Sequence, residues 1–265
     1  MIEKIFPNCY PLGALPYSEV AYSSARLPAN KIKQGMNESM PSTSKIAFVT
    51  IGQTPRVDLV PEMMAEITFG LPEGRIVHEE FGVLDGMSPA ELDAMRARDG
   101  EHSFATRLAS GEEIVSSKAL TEEKLNVLLQ KIDGEGFDLI VLLCTGTKIE
   151  PLKNTLVVEA QRIVDSTVEA LAASARKLGV IVPLERQIQD FEERHVLPGN
   201  PSLVSASPYA GDEMSERAKL LEGCDLIVMH CMGYSAEMHE AVRKSIDAPV
   251  LLSRRLVAGV VRQML

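Results

Sequence analysis

Two stretches of the chain repeat one another: Phe137-Asp-Leu-Ile-Val-Leu-Leu-Cys-Thr-Gly-Thr147 and Cys224-Asp-Leu-Ile-Val-Met-His-Cys-Met-Gly-Tyr234. They agree at Asp138/Asp225, Leu139/Leu226, Ile140/Ile227, Val141/Val228, Cys144/Cys231 and Gly146/Gly233. Each is an apolar, β-branched run too short for a helix and bounded by glycine, which predicts a buried strand. In open α/β sheets, chemistry gathers just beyond the carboxyl ends of the strands. A duplicated strand that twice delivers a Cys to that place predicts two halves facing one cleft, and with them an enzyme.

Composition narrows what such a cleft serves. A chain of 265 residues can build one large or two small domains with a real core. Lys and Arg number 27 against 37 Asp and Glu, a net charge of −10 that argues against nucleic acid or an anionic membrane as partner. No apolar stretch approaches the ~18–20 residues needed to cross a bilayer. The four cysteines (Cys9, Cys144, Cys224 and Cys231) form no CxxC pair and fit no zinc spacing. Three of them fall in strand-like segments, which suits a reducing compartment, and the cytoplasm is the expected location. Neither a G-x-G-x-x-G turn after a strand nor a phosphate-binding loop is present, so no cofactor is expected. No metal is expected either, since a trio of Cys144, Cys231 and His239 lacks any ligand spacing.

Residues 1–44 hold Pro7, Pro11, Pro16, Pro28 and Pro41 and no sustained period, and read as a disordered or loosely attached tail. From Lys45 strands alternate with helices. Strands are predicted at 45–51, 75–81, 178–183, 202–206 and 249–252 besides the repeated pair. Leu59, Val60, Met63, Met64 and Ile67 recur at helical spacing. Ser88-Pro-Ala-Glu91 is a capping box with Pro at the first helical position. Further helices are predicted over 121–131, 154–177, 213–221, 236–245 and 254–265. The expected fold class is α/β, with two pseudosymmetric half-domains of mainly parallel sheet and the cleft between them. The expected domains are 45–153 plus 249–265, and 154–248.

Cys144 and Cys231 are the candidate catalytic residues. A free Cys in a strand is commonly a small packed hydrophobe, and Cys224, at the opposite end of its strand, reads that way. Cys144 and Cys231 instead stand at strand ends beside glycine, where backbone N–H groups stabilise a thiolate. The segment Gly52-Gln-Thr-Pro-Arg56 leaves the first strand toward the same cleft. Arg56 offers a bidentate fork for a carboxylate, or is a solvated Arg at a helix start; Gln53 and Thr54 offer neutral donors. Thr145, Gly146 and Thr147 offer an anion cradle, with Gly233 in the matching place. Ser207 and Tyr209 end another strand and read equally as a β-turn. Tyr234 covers the site or packs. His230 precedes Cys231, so its ring should take the other face of the strand rather than pair with the thiol.

Ile51-Gly-Gln-Thr-Pro-Arg56, Leu84-Asp-Gly86, Leu143-Cys-Thr-Gly146, Ser207-Pro-Tyr209 and Cys231-Met-Gly-Tyr234, taken together and in order, resemble the AroM protein family from about Lys45 onward. That family looks like a branch of the aspartate/glutamate racemase superfamily. The resemblance implies two pseudosymmetric α/β domains with a Cys from each, here Cys144 and Cys231, facing a shared pocket. The family pattern usually has an acidic residue where this chain has His230. The implied activity is a cofactor-independent racemase or epimerase acting on a small, amino-acid-like carboxylate, with the two cysteines as acid and base. The resemblance also admits a single-Cys decarboxylase or cis–trans isomerase, and a non-catalytic carboxylate-binding sensor. A homodimer is compatible with all three.

Overall fold

Each half of the chain opens with an apolar run that becomes an inner strand of a parallel sheet. The computed structural model describes residues 43–195, 197–211 and 214–265, so the predicted tail lies outside the described residues except for its last two. The first half comprises β1 (Ser44–Thr50), α1 (Val60–Ile67), β2 (Ile76–Gly82), α2 (Pro89–Ala94), β3 (Ser103–Arg107), β4 (Glu113–Ser117), α3 (Lys118–Ile132), β5 (Leu139–Leu142) and β6 (Leu156–Glu159). The second comprises α4 (Ala160–Ala172), β7 (Leu178–Val182), α5 (Arg186–Arg194), β8 (Ser202–Ser205), α6 (Met214–Lys219), β9 (Leu226–Met229), α7 (Ala236–Ser245), β10 (Val250–Leu252) and α8 (Ser253–Gln263).

The first sheet runs β2-β1-β5-β6 and the second β10-β9-β7-β8, all parallel. The two follow one path: β1 corresponds to β7, β2 to β8, β5 to β9 and β6 to β10. The antiparallel hairpin β3–β4 stands apart as its own small sheet.

Strand alternation sends each inner strand into two cores. Ile46, Phe48, Leu139 and Val141 face a core that also holds Val180, Val182 and Val228 from the second sheet. Ala47, Val49, Ile140 and Leu142 face a separate core on the other side. Helices fill the shared core. α1 contributes Val60, Met63 and Ile67; α4 a stripe of Ala160, Val164, Val168 and Ala172; α8 contributes Val257, Ala258 and Val261. Burial of each large apolar side chain contributes roughly 1.5–3 kcal/mol, so this layer ties the two sheets into one unit. The capping box forms as predicted: Ser88 Oγ accepts from the Glu91 amide and Glu91 Oε2 accepts from the Ser88 amide (2.8 Å).

The repeated aspartates do the same work in both halves. Asp138 Oδ2 accepts from the Lys45 amide at 2.8 Å, where β5 starts beside β1. The Asp225 carboxylate accepts from the Arg176 and Lys177 amides at 2.9 and 3.0 Å, where β9 starts beside β7. These bonds hold the Asp225 carboxyl down at about 2, the Lys177 amide contributing most.

Three expectations are corrected. The helix predicted over 154–177 is α4 alone, because Leu156-Val-Val-Glu159 is extended as β6 and pairs in register with β5, Leu139 opposite Leu156. Two adjacent β-branched residues beside an open strand edge gain more from the ladder than from a helical turn. The strand near Pro249, expected with the first half, pairs with β9 in the second sheet, Val250 opposite Ile227. α5 forms where the sequence predicts no helix. Among the described residues no helix is long and apolar enough to cross a membrane.

Candidate active site

Beyond Leu142 and Met229 the two repeated strands leave their sheets, and each turn that follows carries a thiol. The amide two residues on lies by the sulfur in both: Gly233 N–H donates to Cys231 Sγ at 3.3 Å, and the Gly146 amide favours the ionised form of Cys144. Thr145 Oγ1 donates to the His230 carbonyl at 3.3 Å and joins the two turns. Cys144 and Cys231 thereby border one cavity of about 60 Å³. A single water needs ~10–15 Å³ of such space, so the cavity suits a ligand of a handful of heavy atoms.

The hairpin and α5 roof this cavity. Ser103, Phe104 and Thr106 border it from β3, and Gln187, Phe191 and Arg194 from α5. Gln187 Nε2 donates to the Ser103 carbonyl at 3.0 Å, and His102 Nδ1 bonds Asp190, so the roof is bolted to α5. Two glycines let aromatic rings close in over the thiol turns. A Cβ on Gly146 would lie 2.7 Å from the Phe104 ring, and one on Gly233 would lie 2.4 Å from the Tyr209 hydroxyl. Gly146→Ala should therefore displace Phe104 and cost about 1–3 kcal/mol, read as a lower urea midpoint. An unchanged midpoint would mean the hairpin yields freely.

Burial, helped by charge on Cys231, pushes the Cys144 thiol up to about 12 against the opposing Gly146 amide. Burial likewise pushes Cys231 up to about 11, opposed by the Gly233 amide and then by Arg56 and Arg254. Each thiol resists ionisation and charge on one penalises charge on the other, so the pair carries at most one negative charge. At neutral pH both are thiols. If a thiolate is the base, its population grows about tenfold per pH unit below these values. Then kcat/KM should climb steadily from pH 7 to pH 10. A plateau reached below pH 8 would contradict this.

The profile of the AroM protein family matches residues 46–265. The chain belongs to the AroM protein family. No curated protein sequence matches it. Among solved structures, the maleate isomerase Iso from Pseudomonas putida S16 superposes with a TM-score of 0.50 at 8% identity, covering 84% of this chain and 93% of that one. Allantoin racemase from Klebsiella pneumoniae gives 0.49 at 12% identity, covering 84% and 87%. Glutamate racemase from Aquifex pyrophilus gives 0.48 at 14% identity, covering 83% and 84%. At such identity the isomerase match shows the fold alone: this AroM family member shares the α/β architecture of that maleate isomerase.

Of the residues singled out in sequence, Cys144, Thr145, Gly146, Tyr209, Cys231, Gly233 and Arg56 border the AroM cavity. The fork of Arg56 is already taken. Nε and Nη2 bind Asp58 at 2.9 and 2.8 Å, and Nη1 binds Thr50 Oγ1 at 2.8 Å. Nη2 also donates to the Tyr209 hydroxyl at 3.1 Å, so Arg56 anchors Tyr209 rather than clamping a ligand. Gln53 and Thr54 turn away from the cavity. Gln53 bridges the Leu84 carbonyl and the Ala109 amide (3.0 Å each), and Thr54 binds Asp85 through its amide and hydroxyl (2.8 Å each). They fasten the loop after β1 to its neighbours. Thr147 is buried outside the wall; Ser207 donates to Glu113 (2.6 Å) and caps the Tyr209 amide (3.1 Å); Tyr234 packs in the core and donates to the Ala206 carbonyl (2.8 Å). Cys224 is buried in the second sheet's outer core, as read from its position.

Sequence reasoning does not single out Lys118 or Arg194, yet both border the cavity. Lys118 opens α3 beneath the Phe104 ring, 5.7 Å from its centroid. Arg194 Nη1 binds the Thr145 carbonyl (3.3 Å) and Gln161 (3.1 Å). His230 also borders the cavity, yet its ring bonds Asp165, which does not, so the ring leads away from Cys231 as strand alternation predicts (Nε2 to Oδ1, 2.8 Å). Burial would raise the Asp165 carboxyl, but the His195 and His230 rings beside it outweigh burial and hold it well below the usual carboxylate range.

Proposed function

We propose that this AroM protein is a cofactor-independent racemase or epimerase for a small carboxylate, with Cys144 and Cys231 exchanging the roles of base and acid. Its main support is that equivalent strand ends in two matching sheets deliver two thiols, each followed by a glycine two residues on, to one small cavity. One thiolate takes the proton from the carbon next to the carboxylate, and the pair of electrons moves into an enediolate. The opposing thiol then gives its proton to the other face and is left as the thiolate, so the next turnover runs in reverse. A thiolate with a raised pKa is the stronger base, which suits a weakly acidic carbon.

The positive fields acting on Cys144 come from Arg194 and Lys118, and those on Cys231 from Arg56 and Arg254. Among the described residues Arg194 Nε and Nη2 have no partner, and they are the donors we assign to the substrate carboxylate. Burial raises the Tyr209 pKa, so its hydroxyl stays protonated and donates to the developing oxyanion. Reduced thiols in these roles fit a cytoplasmic setting.

The test is to run enantiopure small α-substituted carboxylates with the enzyme in D₂O. The expected product is the opposite enantiomer carrying deuterium at the α-carbon. Turnover that releases CO₂ or shifts a double bond, with no α-exchange, would replace racemisation by decarboxylation or cis–trans isomerisation.

A further inference from the structure

A second polar cluster lies beside the Cys231 turn, and the proposed chemistry does not use it. Asp165 on α4, His195 just past α5 and His230 just past β9 bring a carboxylate oxygen and two imidazole nitrogens within 4.8 Å of one another. Asp165 Oδ1 is 2.8 Å from His230 Nε2 and 3.3 Å from His195 Nε2. The His195 side chain is 2% exposed, and its nitrogens face carboxylates, Asp165 Oδ1 at 3.3 Å and Glu169 Oε1 at 3.6 Å, without hydrogen-bond geometry to either. A neutral imidazole has one donor and one acceptor, and burial with both unsatisfied is unfavourable unless something else engages them.

We propose that Asp165 Oδ1, His195 Nε2 and His230 Nε2 bind a divalent first-row transition ion, with Zn²⁺ as its representative and water as the fourth ligand. Donors on a tetrahedral Zn²⁺ with bonds of ~2.0–2.1 Å are ~3.3–3.4 Å apart. The Asp165–His195 separation already has that value, and the Asp165–His230 pair opens by about 0.5 Å to reach it. Outer partners are also in place. Glu169 Oε1 lies 3.6 Å from His195 Nδ1, and the Gln161 amide bonds the other Asp165 oxygen. Such partners orient ligating rings and carboxylates. Phe191 packs on both imidazoles, with ring centroids 4.4 and 5.1 Å away, which excludes water and fixes the rings. Two imidazoles and one carboxylate favour Zn²⁺, Co²⁺ or Ni²⁺ over Mg²⁺ or Ca²⁺. Arg194 also acts on the cluster, where the Asp165 carboxylate opposes its charge. The three ligands are far apart in sequence, so no spacing motif announces them. A bound ion would join α4, α5 and β9 and fix the residue that precedes Cys231. Its role is to position the thiol turn and stabilise the fold, whatever reaction the cavity performs.

Chelator-treated full-length protein should bind one Zn²⁺ per chain in a calorimetric titration, and its melting temperature should rise on saturation. Co²⁺ at the site should show visible d–d bands without a strong near-ultraviolet sulfur band. The Cys144→Ser/Cys231→Ser double variant should bind as the natural protein does. Asp165→Asn and His195→Gln should each weaken binding at least about 100-fold, and Glu169→Gln about 10-fold. Asp165→Asn keeps the side-chain shape and remains decisive if the His195 variant does not fold. Absence of saturable binding, a sulfur-to-cobalt band, loss of binding in the double Cys variant, or undiminished affinity in Asp165→Asn would overturn the proposal.

Discussion

Cys144→Ala and Cys231→Ala should each lose racemisation by about 10²–10⁴-fold, the usual contribution of a positioned acid or base. The two losses should be alike in size but differ in kind. With one thiol removed, the other still faces one enantiomer and can exchange that enantiomer's α-proton with solvent without inverting it. The two single variants should therefore wash deuterium into opposite enantiomers, and the double variant into neither. Proton NMR of each enantiomer in D₂O reads this directly. Should one variant be dead and the other merely slowed, a single-Cys reaction would be indicated, and full racemisation in both would end the two-thiol reading.

Arg254→Leu should destabilise the protein by about 3–5 kcal/mol, the range for removing one member of a buried ion pair. The side chain is 1% exposed. Its Nε and Nη2 donate to the carbonyls of Met232 and Gly233 at 3.1 and 2.9 Å, and Nη1 binds Glu62 Oε2 and the Asp58 carbonyl at 2.8 and 3.0 Å. One guanidinium thus holds the turn that carries Cys231 and ties α8 to the start of α1. Leucine would leave the buried Met232 and Gly233 carbonyls without this donor and take from Glu62 its cationic partner. Lysine should recover little, since a point ammonium cannot reproduce a fork spread over these acceptors. The midpoint of urea unfolding measures the loss; a change below about 1 kcal/mol would show that other donors take over.

The repeated strands were legible because parallel strands buried on both faces read as continuous apolar runs, and their final thiols marked the site with them. Other parts were hidden for identifiable reasons. Leu156-Val-Val-Glu159 precedes the apolar stripe of α4 with no breaker between them, so only the ladder to β5 separates strand from helix. Arg186–Arg194 is mostly polar, and with α5 unseen Arg194 could not be placed at the cavity. Loop residues were the least legible. The segment 52–56 leaves the correct end of β1, but sequence carries no sign that Gln53 and Thr54 turn toward Leu84 and Asp85 while Arg56 turns inward to Asp58. Arg254 opens the predicted C-terminal helix, and nothing in the sequence there marks it for burial. Only the closeness of the Met232 and Gly233 carbonyls shows why it is buried.

The paired aspartates at the starts of β5 and β9 have a further consequence. A strand of four residues has few ladder bonds with which to choose its own phase, and a slip of one residue would turn its thiol to the opposite face. Asp138 and Asp225 index each strand against its neighbour before the apolar run begins. The register that decides which face each sulfur takes is therefore fixed about 20 Å away from it, six residues upstream at ~3.3 Å each. Alignment of the two thiols thus draws partly on the far end of the sheets, through carboxylates that do not border the cavity.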